Sequence, residues 1–407
     1  MKRTNRRDFL KHSMLAATAL AASPLASLLA STRLARVTGA PKKIIIAGAG
    51  LAGLVAAYEL KQAGHDVTVI EARKRAGGRV FTMREPFADG LYAEGGATRI
   101  NVKHNLTRRY IKQFELETLP FYPTSEHFTT LNKGERREAD WDKFTNEIRN
   151  VIGLGKREDW IKIQGGNDLL PSAFAKRLGS AIIYDAPVRR IEQDERGVSV
   201  SFSRGSAMEK IRGDYLVCAI PFSTLRRVTI SPQFSQAKQQ IIEQLEHDSA
   251  SRVFLQVRSR FWKEQKANGY AIAEQSIEIW DSTLTQPGTR GILQTYLRYS
   301  NSERLTEMQE QERVSVTVER MEQVFPGTRS NFEKGISKCW SEDEWSRGAW
   351  VHPDENALPL IVKPEGRVYF AGDHASRQPS WMQGALESGL RVVKEIDEAA
   401  QTATAFS

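Results

Sequence analysis

Cysteine is nearly absent from this chain: its 407 residues hold two, Cys218 and Cys339. That count excludes a disulfide-stapled scaffold. An exported protein could join the pair, but nothing in the spacing requires it, and both read as free packing residues. Histidine is also scarce, at seven, with no H-x-x-x-H spacing and no Cys/His cluster, so no metal site is expected. Internal repeats and low-complexity linkers are missing. The formal net charge is +9, but residues 1–40 hold seven Lys/Arg and one Asp. Only about +3 remains beyond them, with no basic stripe interleaved with aromatics to suggest nucleic acid.

Those first forty residues read as a leader. Asn5-Arg6-Arg7-Asp8-Phe9-Leu10-Lys11 and the apolar stretch Met14–Ala30 match the charged and apolar regions of a twin-arginine export signal. Ala19-Leu20-Ala21 is one possible cleavage position, and a retained anchor is the alternative, because a stretch of about 17 residues is at the lower end of what spans a bilayer. Such a signal predicts a periplasmic or secreted protein. The remaining ~367 residues suffice for two domains with real cores.

The organising stretch is 44–71. Ile44-Ile45-Ile46-Ala47 suits a buried parallel strand, Leu54–Ala63 has helical composition, and Gly48, Gly50 and Gly53 lie between or at the join. Each glycine has a reason: a tight turn, close backbone approach to a pyrophosphate, and close packing of helix on strand. Phosphates then meet free N–H groups at the helix N-terminus. Val67–Ile70 returns as a second strand ending in Glu71, whose carboxylate suits an unphosphorylated ribose, so FAD or NAD is preferred over NADP.

The residues after this strand separate the two cofactors. Glu71-Ala72-Arg73-Lys74-Arg75-Ala76-Gly77-Gly78-Arg79 resembles the E-A-R-x-x-x-G-G-R signature of the flavin amine oxidases. Leu91–Arg99, with Gly96, Ala97 and Thr98, is similar to the glycine-rich stretch that passes the flavin ring there. In the amino-acid oxidase branch that stretch ends in an arginine gripping the substrate carboxylate, the place Arg99 holds. Toward the C-terminus, Gly366–Asp373 and Trp381–Gly389 are the second strong match.

The resemblance implies an α/β Rossmann-like FAD-binding domain interleaved with an α+β substrate domain, the amine oxidase or GR2-type flavoprotein fold. Residues 41–100, 160–221 and 360–401 would form the FAD-binding domain, and 101–159 and 222–359 the substrate domain, in which the residue pattern predicts a strand over Tyr270–Ile279 and a helix over Arg304–Phe325. The segment 101–159 is short for the family, whose larger members carry a helical subdomain there. By the same resemblance, Arg73, Gly78, Arg79, Val188, Gly372, Asp373, Met382 and Ala385 contact noncovalent FAD, since Ala349 stands where covalent members carry a cysteine. Trp350 and Trp381 would be the two walls of an aromatic cage around the substrate amine.

Arg252 departs from the pattern. Ten residues before the tryptophan of Phe261-Trp262, the family carries a lysine that assists flavin reoxidation, and arginine is larger and does not readily deprotonate. The implied activity is oxidation of an L-amino acid, its Cα hydrogen passing as hydride to flavin N5, to a 2-oxo acid, ammonia and hydrogen peroxide. A dehydrogenase using a quinone or cytochrome, an amino-acid 2-monooxygenase and a non-catalytic flavoprotein subunit remain as alternatives. Family members are often dimers, and membrane contact is expected only if the leader is retained.

Overall fold

The computed structural model describes residues 41–148 and 153–405, with side chains to Gln401; the leader expected at 1–40 lies outside the described residues. Ile44, Ile45 and Ile46 are buried because their strand, Lys43–Ala47, is central. It pairs in parallel with Asp66–Ile70 on one side and Tyr215–Cys218 on the other. Ile182–Ile183 and Val368–Phe370 complete a five-stranded parallel sheet at its two edges. Such a sheet needs cover on both faces. One face is covered by the helix Leu51–Ala63 and the long C-terminal helix Met382–Ala405. The other packs against a four-stranded sheet built from Val188–Asp194, Gly197–Arg204, Ala207–Gly213 and Thr229–Ser231.

The turn entering the first helix forms as its glycines require. Gly48 has φ +105°, and a Cβ on Gly53 would stand 2.0 Å from the Gly48 carbonyl oxygen. Gly64 ends the helix at φ +109°, its N–H reaching back to Leu60 and Lys61.

A second, seven-stranded sheet runs in the order Phe332–Cys339, Ala250–Val257, Gly291–Arg298, Ile277–Asp281, Ala271–Ala273, Phe128–Asn132 and Glu135–Ala139. All its pairs are antiparallel except Ala271–Ala273 with Phe128–Asn132. Strand alternation separates its two faces. Val253, Leu255, Ile279 and Leu293 point into a core shared with residues of the helix Glu310–Val324. Arg252, Glu278 and Tyr296 lie side by side on the opposite face, since Tyr296 is the register partner of both others.

Two elements differ from the sequence reading. The strand expected over Tyr270–Ile279 is two strands, parted at Gln275 and Ser276, whose φ values of +60° and +59° reverse the chain. The helix expected over Arg304–Phe325 is also two, Ser300–Thr306 and Glu310–Val324. The Arg313 guanidinium donates to the carbonyls of Leu305 (3.0 Å) and Thr306 (3.1 Å), satisfying the end of the first helix from within the second. No glycine or proline marks that break, so periodicity alone reads through it. Cys218 and Cys339 are both buried thiols.

Candidate active site

One cavity of about 520 Å³ runs from the glycine turn to the seven-stranded sheet. At its first end, Gly48, Gly50, Leu51 and Ala52 line it, and nothing lies within 4 Å of where a Gly50 Cβ would be. That is open room for a phosphate beside a helix N-terminus. Gly53 is not a lining residue; its contact with Gly48 holds helix to strand.

Glu71 sits deeper on the same wall, buried. It accepts the N–H of Ala49 at 2.7 Å and of Arg73 at 2.8 Å, which fix its carboxylate at the turn. Burial pushes its carboxyl above the ordinary range, against those donors and Arg73. Arg73 reaches away to Asp343 and to Ser346 Oγ at 2.8 Å, while Gly78 packs beside Gly50. Arg79 pairs with Asp373 and donates to the Ala349 carbonyl at 2.6 Å. Burial opposes ionisation of Asp373, but Arg79 together with His374 and His247 outweighs it and holds the carboxyl below its usual value. Gly96, Ala97, Thr98 and Val188 line the cavity, as do Gly372, Met382 and Ala385.

At the other end the cavity meets the polar face of the large sheet. Arg99 is buried here. Its two terminal nitrogens each meet Glu278 at 3.1 Å, and Nη1 also donates to the Tyr122 hydroxyl at 2.8 Å. Glu278 additionally pairs with Arg298. Burial alone would raise the Glu278 carboxyl, but Arg99 and Arg298 overcome it and hold it at about 2. Arg252 donates to the Glu94 carbonyl and lies between rings, 4.5 Å from the centre of Tyr296 and 5.3 Å from Trp280; burial lowers its pKa. The Glu94 side chain is turned elsewhere, accepting the Asn167 N–H at 2.8 Å and the Thr82 hydroxyl at 2.9 Å. Its burial pushes the carboxyl up to about 7.

Trp350 and Trp381 both line the cavity. Trp350 meets Tyr296 and Tyr299 edge-on, with centroids 6.2 and 6.4 Å away. Trp381 stacks on Trp160 at 5.7 Å and leans on His104, which burial lowers to about 4 and so keeps neutral. His374 is buried with its ring 4.6 Å from Phe222. Reading the sequence misses Glu278, Tyr296 and Arg298. The signal available for them was weak: charged or aromatic residues two apart on strands whose alternate positions are aliphatic.

This geometry has counterparts. A family model described as flavin containing amine oxidoreductase matches residues 51–153 and 143–397. The putative L-amino-acid oxidase YobN of Bacillus subtilis (strain 168) is 31% identical over an alignment covering 88% of this chain and 95% of the relative. The flavin-dependent L-tryptophan oxidase RebO of Lentzea aerocolonigenes is 27% identical, covering 88% and 98%. Among solved structures, cyclohexylamine oxidase from Brevibacterium oxydans IH-35A superposes with a TM-score of 0.77 at 21% identity, covering 89% of this chain and all of that one. Putrescine oxidase bound to putrescine gives 0.76 at 18%, covering 88% and 99%.

Proposed function

The chain belongs to the flavin-containing amine oxidoreductases, with FAD as cofactor and a small molecule as substrate, and from that premise we propose that it oxidatively deaminates an L-amino acid. One observation carries the choice of amino acid over simple amine. The cavity wall opposite the glycine turn presents Arg99, Arg252 and Arg298, all buried, against one ionised carboxylate, Glu278. A simple amine brings no anion to such a wall, whereas a carboxylate meets charge-assisted donors there. The names of YobN and RebO support the same reading.

The residues fit the cofactor through the open turn at Gly50, the fixed carboxylate of Glu71 and the Arg79–Asp373 pair. FAD, when bound, supplies the acceptor for the electron pair and hydrogen leaving Cα. The protein's part is to bind and orient: the arginine wall fixes the carboxylate, and Trp350 and Trp381 confine the amine nitrogen and Cα. The resulting imino acid takes up water to give a 2-oxo acid and ammonia, and oxygen takes the electrons to give hydrogen peroxide. The test is an anaerobic absorbance scan against L-amino acids, D-amino acids and simple amines, followed by air. Bleaching by L-amino acids and prompt recovery with peroxide is the expected result; bleaching by amines alone refutes the reading.

Arg252 favours a second reading, a dehydrogenase that passes electrons to a quinone or cytochrome. Slow recovery in air with fast turnover on an artificial acceptor would select it. We also place the enzyme outside the cytoplasm on the strength of its twin-arginine sequence, and an Arg6→Lys/Arg7→Lys variant retained in the cytoplasmic fraction is the matching test.

A further inference from the structure

The arginine wall carries more positive charge than its neighbours answer. Arg99 gives both terminal nitrogens to Glu278, and Nη1 also meets Tyr122. Arg298 spends Nη1 on the same carboxylate, and its Nη2 is buried without a hydrogen-bond partner. A buried donor left unpaired forfeits its hydration for nothing, which marks a place that a ligand atom completes. Arg252 has a carbonyl and two ring faces but no ionised partner in the bonds it makes. Glu94 answers it only through space: Arg252 bonds its backbone carbonyl and not its carboxylate, whose oxygens accept from Asn167 and Thr82 and which burial raises to about 7.

We propose that this site takes an L-amino acid with an acidic side chain, one carboxylate received by Arg298 Nη2 and the other lying in the field of Arg252. The inference rests on the deamination reading above and names its substrate class. The guanidinium carbons of Arg252 and Arg298 lie 4.5 and 4.7 Å from the centre of the same Tyr296 ring, so they are at most about 9 Å apart. One small molecule with two carboxylates spans that interval. A monocarboxylic amino acid answers one cation and leaves the other buried without a counter-ion, an unfavourable state in a low-dielectric wall. The second carboxylate takes no part in bond changes; it selects the substrate.

The experiment uses the FAD-loaded protein. Anaerobic flavin reduction is followed with L-aspartate and L-glutamate against L-asparagine and L-glutamine, which match them in shape without the charge. Succinate and glutarate are titrated against butyrate by thermal shift, which needs no turnover. The acids are expected to bind at least about tenfold more tightly than the amides, the scale of one charge-assisted hydrogen bond. Succinate and glutarate are expected to raise the melting temperature where butyrate does not. Arg298→Gln, which leaves the Arg99–Glu278 pair in place, is expected to weaken the acids to the level of the amides.

Equal affinity for acids and amides overturns the proposal while leaving deamination standing. So does an Arg298→Gln variant that weakens both alike, because Nη2 would then serve the carboxylate common to all amino acids. If no L-amino acid reduces the flavin, the deamination reading falls with it. Should Arg298→Gln lose its flavin, Arg298→Lys and the wild-type panel decide.

Discussion

Replacing Glu278 by glutamine removes the single ionised carboxylate that Arg99 and Arg298 share. The carboxylate is wholly buried and holds Arg99 through two contacts of 3.1 Å, besides its pair with Arg298. Taking away one member of a buried ion network leaves the others charged without relief, at about 3–5 kcal/mol. At roughly 2 °C per kcal/mol for a chain of this size, the apparent melting temperature should fall by about 5 °C or more. Far-ultraviolet circular dichroism and flavin release on heating both measure it. Adding Arg99→Gln should recover part of the loss, since contacting charges are not additive.

The acid limb checks the same contact. The Glu278 carboxyl is held at about 2 against an ordinary 4.5, so its contribution is complete above 4.5 and disappears as pH falls toward 2. The wild-type advantage over Glu278→Gln should shrink across that window. A variant that melts within a degree of wild type, with no such convergence, would refute the charge balance argued for this wall.

Glu94 gives the opposite sign. Its folded carboxyl titrates near 7 and its unfolded one near 4.5, so the fold binds the extra proton between them and loses about 3 kcal/mol as pH rises through that interval. Glu94→Gln should flatten the stability profile between pH 4.5 and 7 in chemical denaturation. Gly53→Ala places a methyl 2.0 Å from the Gly48 oxygen, forcing helix from strand, and purified protein should show a fall in the ratio of flavin to protein absorbance. Arg252→Lys should raise the rate of flavin reoxidation by oxygen, read by stopped flow, about tenfold if the guanidinium is what slows it. An unchanged rate removes Arg252 from that role.

The cofactor end was legible in the sequence because its constraints are local. Gly48, Gly50 and Gly53 answer to backbone geometry within one turn, and Glu71 closes the next strand; their places in the fold are set by the chain itself. The arginine wall was only half legible. Arg99 stood out in a glycine-rich motif, yet its partner Glu278 lies 179 residues away on a strand of ordinary alternation, and nothing local ties the two. Arg298 was invisible for the same reason. Its meaning comes from the register that sets Arg252, Tyr296 and Glu278 abreast, and register across three strands is a tertiary fact. The two broken elements at 274–276 and 307–309 escaped because no glycine or proline announces them.

The parallel sheet also makes the cofactor cradle depend on a distant part of the chain. Its edge strand Val368–Phe370 joins only after some 150 residues have intervened since Tyr215–Cys218, and Met382–Ala405 then lies against the first helix so closely that a Cβ on Gly389 would stand 2.4 Å from Val55. Asp373, which secures Arg79, arrives in the same last stretch. A chain cut short before Val368 would therefore keep the first phosphate turn without a finished cradle. Such a product is expected to stay colourless on purification, and the flavin absorbance of the longer chain tells the two apart.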